Sequence, residues 1–403
     1  MARRSVATAL GALSAVALVL LASAVVVRTI AASFNPFLPY PGHVADYRVA
    51  RSRAVRAALP DIVDSPRTAV IVMGSSGVAR AFVPSVFDDA LDGGRKRHMS
   101  FNLAQLLLQP ETALAMAKLI RQNYEARHKH IGIAVFGISV PELTRGAIRA
   151  SQHTMPDQAF TFATEELLEA RAHADPLGAV DDGLKLLLFG NVRPAQVGRW
   201  VEDWAAAHPP PCESGMKQPP DGDEAQAALV DYCHELGAQF PRGVPAWNPS
   251  TRGGFDFGLP STRPMLERLV ELHAASPGLA PRVETARSPA GAIPNDMDED
   301  AIRTMVAAIR ELKAVSNHVV ILRDVMNPDL LAAELPARVA RWSEVARGIA
   351  RGSDAPLLDL NDGTFGASDF GDRTHLNPLA AERFSSLLAA RVQPMAEEDR
   401  ASR

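Results

Sequence analysis

The sequence predicts an α/β fold: a parallel sheet covered by helices on both faces, interrupted by a helical insertion and preceded by one membrane-spanning helix. Three observations predict it. Short apolar runs rich in β-branched residues alternate with stretches of helical periodicity, as βαβ units require. That rhythm breaks between residues 151 and 294, where prolines cluster at 209–211 and 219–220 and glycines gather near 252–258. Residues 6–27 carry no charge, and Arg3 and Arg4 precede them.

Composition narrows the class. A chain of 403 residues, 47% of them hydrophobic, has enough apolar material to exclude wholesale disorder. Two cysteines cannot staple a chain of this length, so a disulfide scaffold is excluded too. The formal charge of −4 gives no reason to expect a nucleic-acid partner. No P-loop, dinucleotide fingerprint or metal-ligand spacing is present, so neither cofactor nor metal is expected.

In chain order, residues 6–27 match the roughly 20 apolar residues that cross about 30 Å of hydrocarbon. The basic tip before them places the amino terminus in the cytoplasm and the rest outside, anchored in the inner membrane by a single pass. The competing expectation is a signal peptide cut near Ala22-Ser23-Ala24, with a secreted product. In an extracytoplasmic compartment Cys212 and Cys233 are candidates for a disulfide; the alternative is a buried, reduced pair. Residues 34–42, with three prolines, read as a linker. Residues 45–60 have helical periodicity with arginines on one face.

The run 68–73 is continuous and apolar, and ends in Gly74-Ser75-Ser76-Gly77, which reads as a buried parallel strand and a tight turn. A helix follows over 110–129, with proline in its first turn. Residues 131–136 and 318–322 are further buried strands, the second preceded by a helix over 298–315. A short strand at 356–360 and a closing helix at 379–392 complete the pattern. The organisation predicted is an anchor at 1–34, a linker and helix at 35–65, a discontinuous α/β domain at 66–150 and 295–395, and the insertion at 151–294.

Two segments carry residue types suited to chemistry. Ser75 and Ser76 follow the first strand, at the sheet edge where open α/β folds bind ligands. Asp372 and His375 stand three apart ahead of the last helix. An aspartate there can orient the imidazole, and the imidazole can activate a serine; the same Asp-x-x-His can also serve as a helix cap. Asn327 lies at the same edge, as a substrate contact or as the cap of a helix begun by Pro328. Arg323 and Asp324 read as a local ion pair. His128 and His130 suit the dipole of a helix end.

Taken in order, Gly74-Ser75-Ser76, Ser100-Phe101-Asn102-Leu103-Ala104-Gln105, Val135-Phe136-Gly137-Ile138-Ser139 and Asp372-Arg373-Thr374-His375 resemble the four blocks of SGNH/GDSL-type hydrolases. The branch they resemble is that of membrane-anchored bacterial proteins concerned with cell-surface acyl groups. The likeness covers residues 66–145 and 300–392. It implies a three-layer αβα sandwich with a flavodoxin-like parallel sheet, and an esterase or O-acyltransferase working on acyl esters of a surface carbohydrate or lipid-linked polymer. It makes Ser76 the nucleophile, with Ser75 the alternative, His375 the base and Asp372 the orienting acid. Oxyanion or substrate contacts would come from the Ser76 N–H, Asn102, Ala104 and Ser139. Three departures stand out. Ser75 replaces the usual aspartate, as is typical of D-alanyl transfer proteins of teichoic acid synthesis; Ala104 replaces a glycine; Ser139 stands where an asparagine is expected. A rival expectation is a non-catalytic relative that binds polysaccharide or partners a multi-pass membrane acyltransferase.

Overall fold

The structure, a computed structural model, describes residues 44–106, 108–152, 161–163, 247–254, 297–333, 336–370 and 374–401, with scattered residues in 14–26, 176–184 and 267–271. Cys212 and Cys233 lie outside the described residues. Of the predicted anchor, residues 14–16, 18–23 and 25–26 are helical and exposed. Among the described residues no helix is long and apolar enough to cross a membrane.

Five parallel strands form one sheet in the order β2-β1-β3-β4-β5. They are β1 (Thr68–Met73), β2 (His98–Asn102), β3 (Ile131–Ile138), β4 (Ser316–Arg323) and β5 (Leu357–Asp359). Register is fixed across the centre: Val72 of β1 aligns with Asn102 of β2 and with Val135 of β3, and Val135 aligns with Val320 of β4. β3 is buried along its whole length, which is why it reads as one apolar run rather than as an alternation. β5, only three residues long and half-exposed, closes one edge.

Both faces of the sheet are covered by helices. Ala69, Ile71 and Met73 point into one apolar cluster, and Val70 and Val72 into the other, as the two-residue period of a strand dictates. The first cluster is completed by α1 (Val44–Val63), α4 (Pro110–Ala126), α6 (Glu299–Lys313) and α8 (Pro336–Ser353). The second is completed by α2 (Ser76–Ala81), α3 (Pro84–Asp92) and α9 (Pro378–Ala401). The caps are those the residues favour: Asp298 Oδ1 accepts from the Ala301 N–H at 2.9 Å, and Arg310 and Lys313 occupy the last turn of α6.

β2 and α1 go beyond what the sequence suggested. β2 was not predicted as a strand, because His98, Ser100 and Asn102 interrupt its apolar pattern. These polar side chains are buried and bonded: Ser100 Oγ donates to Pro84 O (3.1 Å), and Asn102 Nδ2 donates to Ala79 O (2.8 Å) and Phe82 O (3.0 Å). The helix expected over 45–60 is α1, and Ala54, Val55, Ala58, Leu59 and Ile62 make it part of the core. One of its arginines is buried. Arg51 is 1% exposed, and donates to Ala104 O (2.6 Å), Asn102 O (3.1 Å) and Gly253 O (3.1 Å).

The insertion leaves the domain after β3 through α5 (Arg145–Gln152) and returns at Met297, which forms an antiparallel bridge with Thr144. Between these points, residues 247–254 dock beside the end of β2. Trp247 Nε1 donates to Asn102 O (3.1 Å), and Arg252 pairs with Asp88.

Candidate active site

β1 ends at Met73, and the chain leaves the sheet through Gly74. Its φ of +155° favours glycine, and a Cβ there would stand 2.8 Å from Val78 Cγ2. Ser75 is the cap residue and Ser76 the first residue of α2. The two serines diverge: Ser75 is buried and Ser76 half-exposed. Ser75 Oγ turns inward and donates to Asp324 Oδ2 at 2.7 Å.

Ser76 Oγ lies 2.9 Å from His375 Nε2, although 299 positions separate the two residues in the chain. With its proton on Nδ1, the neutral imidazole accepts the serine hydroxyl through Nε2, the arrangement that general-base activation needs. Nδ1 is 3.3 Å from Thr374 Oγ1. The turn carrying His375 is held from both sides. Leu376 bridges antiparallel to Phe370 and is buried against the second core cluster. Asn377 donates from its backbone to Asp369 O (2.8 Å) and from Nδ2 to Ser368 O (3.0 Å). Its Oδ1 accepts the Ala380 N–H at 2.9 Å, so Asn377 is the residue that caps α9. Asp372, predicted as the orienting acid, lies outside the described residues.

The other predicted contacts take different places. Asn102 is fully buried, with both ends of its amide engaged, and joins the α2–α3 corner to the segment after β2. The Ala104 N–H donates to Asn102 Oδ1 at 3.2 Å and the Gln105 N–H to Gly74 O at 2.9 Å. The Gln105 amide braces the serine turn from behind. Ser139 precedes a short 3-10 helix (Val140–Leu143), and its carbonyl accepts the Glu142 N–H at 3.1 Å. Asn327 is buried, and its Oδ1 accepts the Asp329 N–H at 3.0 Å at the start of α7 (Pro328–Ala333), which is the capping role. Arg323 does not pair with Asp324. Neighbours on an extended chain point to opposite faces, and Arg323 reaches Asp359 (2.8 Å) and Ser343 (3.0 Å) instead.

Asp324 is the site residue whose place the sequence did not reveal. It is buried, and burial pushes its carboxyl up to about 6, against the opposing pull of the Ser75 hydroxyl. An acidic residue directly after a buried strand, at the ligand edge of the sheet, was the readable signal. A narrow crevice runs between the serine turn and the histidine turn, lined by Gly77, Val78, Leu322, Asp324, Thr374 and Phe384. No group of side chains suited to hold a metal ion occurs among the described residues.

No protein-family profile matches this chain, and neither does any curated protein sequence.

Proposed function

We propose that the protein is a serine esterase or O-acyltransferase of the SGNH type, anchored in the inner membrane through residues 6–27 and acting outside the cytoplasm. Its substrates are acyl esters of a surface carbohydrate or lipid-linked polymer. The observation that carries this reading is the 2.9 Å contact between Ser76 Oγ and His375 Nε2 at the carboxyl edge of the sheet. The strand order 2-1-3-4-5 supports the flavodoxin-like assignment, with the nucleophile beside β1, where the order reverses.

In this reaction His375 Nε2 takes the Ser76 proton as Oγ attacks the acyl carbonyl carbon. The carbonyl π pair moves to oxygen, and the Ser76 N–H stabilises that charge. Collapse expels the alcohol oxygen, which takes the proton from the imidazolium and leaves an acyl-serine. Water or a sugar hydroxyl then repeats the sequence as the acceptor, with Asp372 orienting the imidazole in both halves. Hydrolysis and transfer differ only in which hydroxyl reaches the acyl carbon.

The rival reading, a non-catalytic partner of polysaccharide or of a multi-pass acyltransferase, draws support from the Ala104 N–H, which already serves Asn102. Treatment of the full-length protein with a fluorophosphonate separates the two. An esterase forms a Ser76 adduct that Ser76→Ala abolishes; no adduct, alongside a control esterase that labels, favours the binding protein.

A further inference from the structure

Asp324 emerges from the carboxyl end of β4 with its backbone fixed on both sides. Its N–H donates to Ile138 O at 3.0 Å, and its carbonyl accepts Asn361 Nδ2 at 3.0 Å. The side chain runs beneath the turn that carries the nucleophile. Oδ2 accepts the Ser75 hydroxyl at 2.7 Å, and a Cβ on Gly77 would stand 2.9 Å from that same oxygen. A Cβ on Gly137 of β3 would stand 3.2 Å from Oδ1. The carboxyl group therefore fills the space that two glycines leave open, one on each side of it. Oδ1 has no hydrogen-bond partner among the described residues.

A buried carboxyl in this position is unfavourable as packing, because an apolar side chain would fill the same space without desolvating a charge. Its contacts account for its presence in another way. They grip the residue before Ser76 through a hydrogen bond and leave no room for a side chain on the residue after it. We propose that Asp324 is a positioning residue for the nucleophile, holding Ser75 and abutting Gly77 so that Ser76 between them presents its hydroxyl to His375. The proposal rests on Ser76 being the nucleophile. Burial raises the Asp324 carboxyl to about 6, so at neutral pH it is largely ionised and a strong acceptor for the Ser75 hydroxyl. Loss of that grip lets the turn shift, and a misplacement of about 1 Å costs on the order of 100-fold in rate.

The test is the rate at which a fluorophosphonate modifies Ser76 in the full-length protein held in detergent micelles, resolved into the maximal rate and the concentration for half-saturation. Asp324→Ala is expected to lower the maximal rate about 100-fold with half-saturation unchanged. Asp324→Asn keeps an acceptor oxygen and the shape of the side chain, and is expected to stay within about threefold of the parent. Ser75→Ala alone is expected to slow the reaction about tenfold, and to slow the Asp324→Ala protein no further, because both changes remove the same bond. A parent protein that labels while Asp324→Ala labels equally fast overturns the positioning role and leaves the esterase reading standing. So do effects of Ser75→Ala and Asp324→Ala that multiply, or an Asp324→Asn protein as slow as the alanine variant. A parent that does not label overturns both, since there is then no nucleophile to position. If Asp324→Ala does not fold, the conservative pair decides: Ser75→Ala slow with Asp324→Asn fast supports the proposal, and the reverse refutes it.

Discussion

Replacing His375 by alanine separates a catalytic histidine from a structural one. The imidazole is half-exposed, and its contacts include Ser76 Oγ at 2.9 Å and Thr374 Oγ1 at 3.3 Å. The turn around it is held by its neighbours instead: Leu376 in the core, and Asn377 through bonds to Ser368 O, Asp369 O and the Ala380 N–H. Truncation at 375 therefore leaves the scaffold in place and should change stability by no more than about 0.5 kcal/mol, a shift of about 1–2 °C in Tm for a domain of this size. Activity should respond very differently. General-base assistance is worth about 10²–10⁴-fold, or about 2.7–5.4 kcal/mol at 1.36 kcal/mol per tenfold. The assay is turnover of a small activated aryl ester by the full-length protein, with a thermal melt on the same preparation. A His375→Ala protein that keeps a tenth or more of its turnover while its Tm drops several degrees would show that the histidine is structural, and would refute the pairing.

Three further outcomes are expected. Arg51→Met removes the donor serving Ala104 O and Gly253 O, and unsatisfied buried acceptors of this kind should cost about 2–4 kcal/mol, read as a lower midpoint in urea. Asp324 has a folded-state pKa raised to about 6, above the unfolded value near 3.9, so its contribution to stability is full below about pH 4 and is lost as pH rises to about 6. Asp324→Asn should flatten that fall in Tm across the window, and an unchanged slope would assign the titration elsewhere. A reporter enzyme that works only when exported, fused after Arg403, should be active; activity confined to a cytoplasmic reporter would overturn the predicted orientation.

The sheet was legible where its strands are buried on both faces. Thr68–Met73 and Ile131–Ile138 are continuous apolar runs because each strand has a helical layer above and below it. β2 was not legible, since three of its buried positions are polar, and Ser100 and Asn102 bond to carbonyls from a helix corner that no local pattern announces. The same limit applies to Arg51. A guanidinium on an amphipathic helix reads as solvated, and only the assembled fold supplies the carbonyls that bury it. At the site, Ser76 and His375 could be named because a glycine-flanked strand end and a loop ahead of a helix are local features. The role of Asp324 is not local: its meaning depends on Ser75, 249 positions away, reaching the same point in space. Asn102 and Asn327 were open to two readings for the converse reason, and Asn327 takes the capping one. Asparagine suits a ligand contact and a backbone brace equally well, and the choice between them is made by neighbours the chain supplies elsewhere.

The separation of 299 positions between Ser76 and His375 has a consequence in time. At about 5–20 residues per second, the ribosome takes roughly 15–60 s to get from one to the other. Throughout that interval the Ser76 turn exists without His375, and β3, which pairs with β1 early, waits for β4 across the insertion. α9 fastens the result, because Ser385 Oγ accepts the Val83 N–H at 2.8 Å, tying the last helix to the α2–α3 corner beyond Ser76. On the proposed mechanism, a nascent chain would carry an unactivated Ser76 until the His375 turn docks.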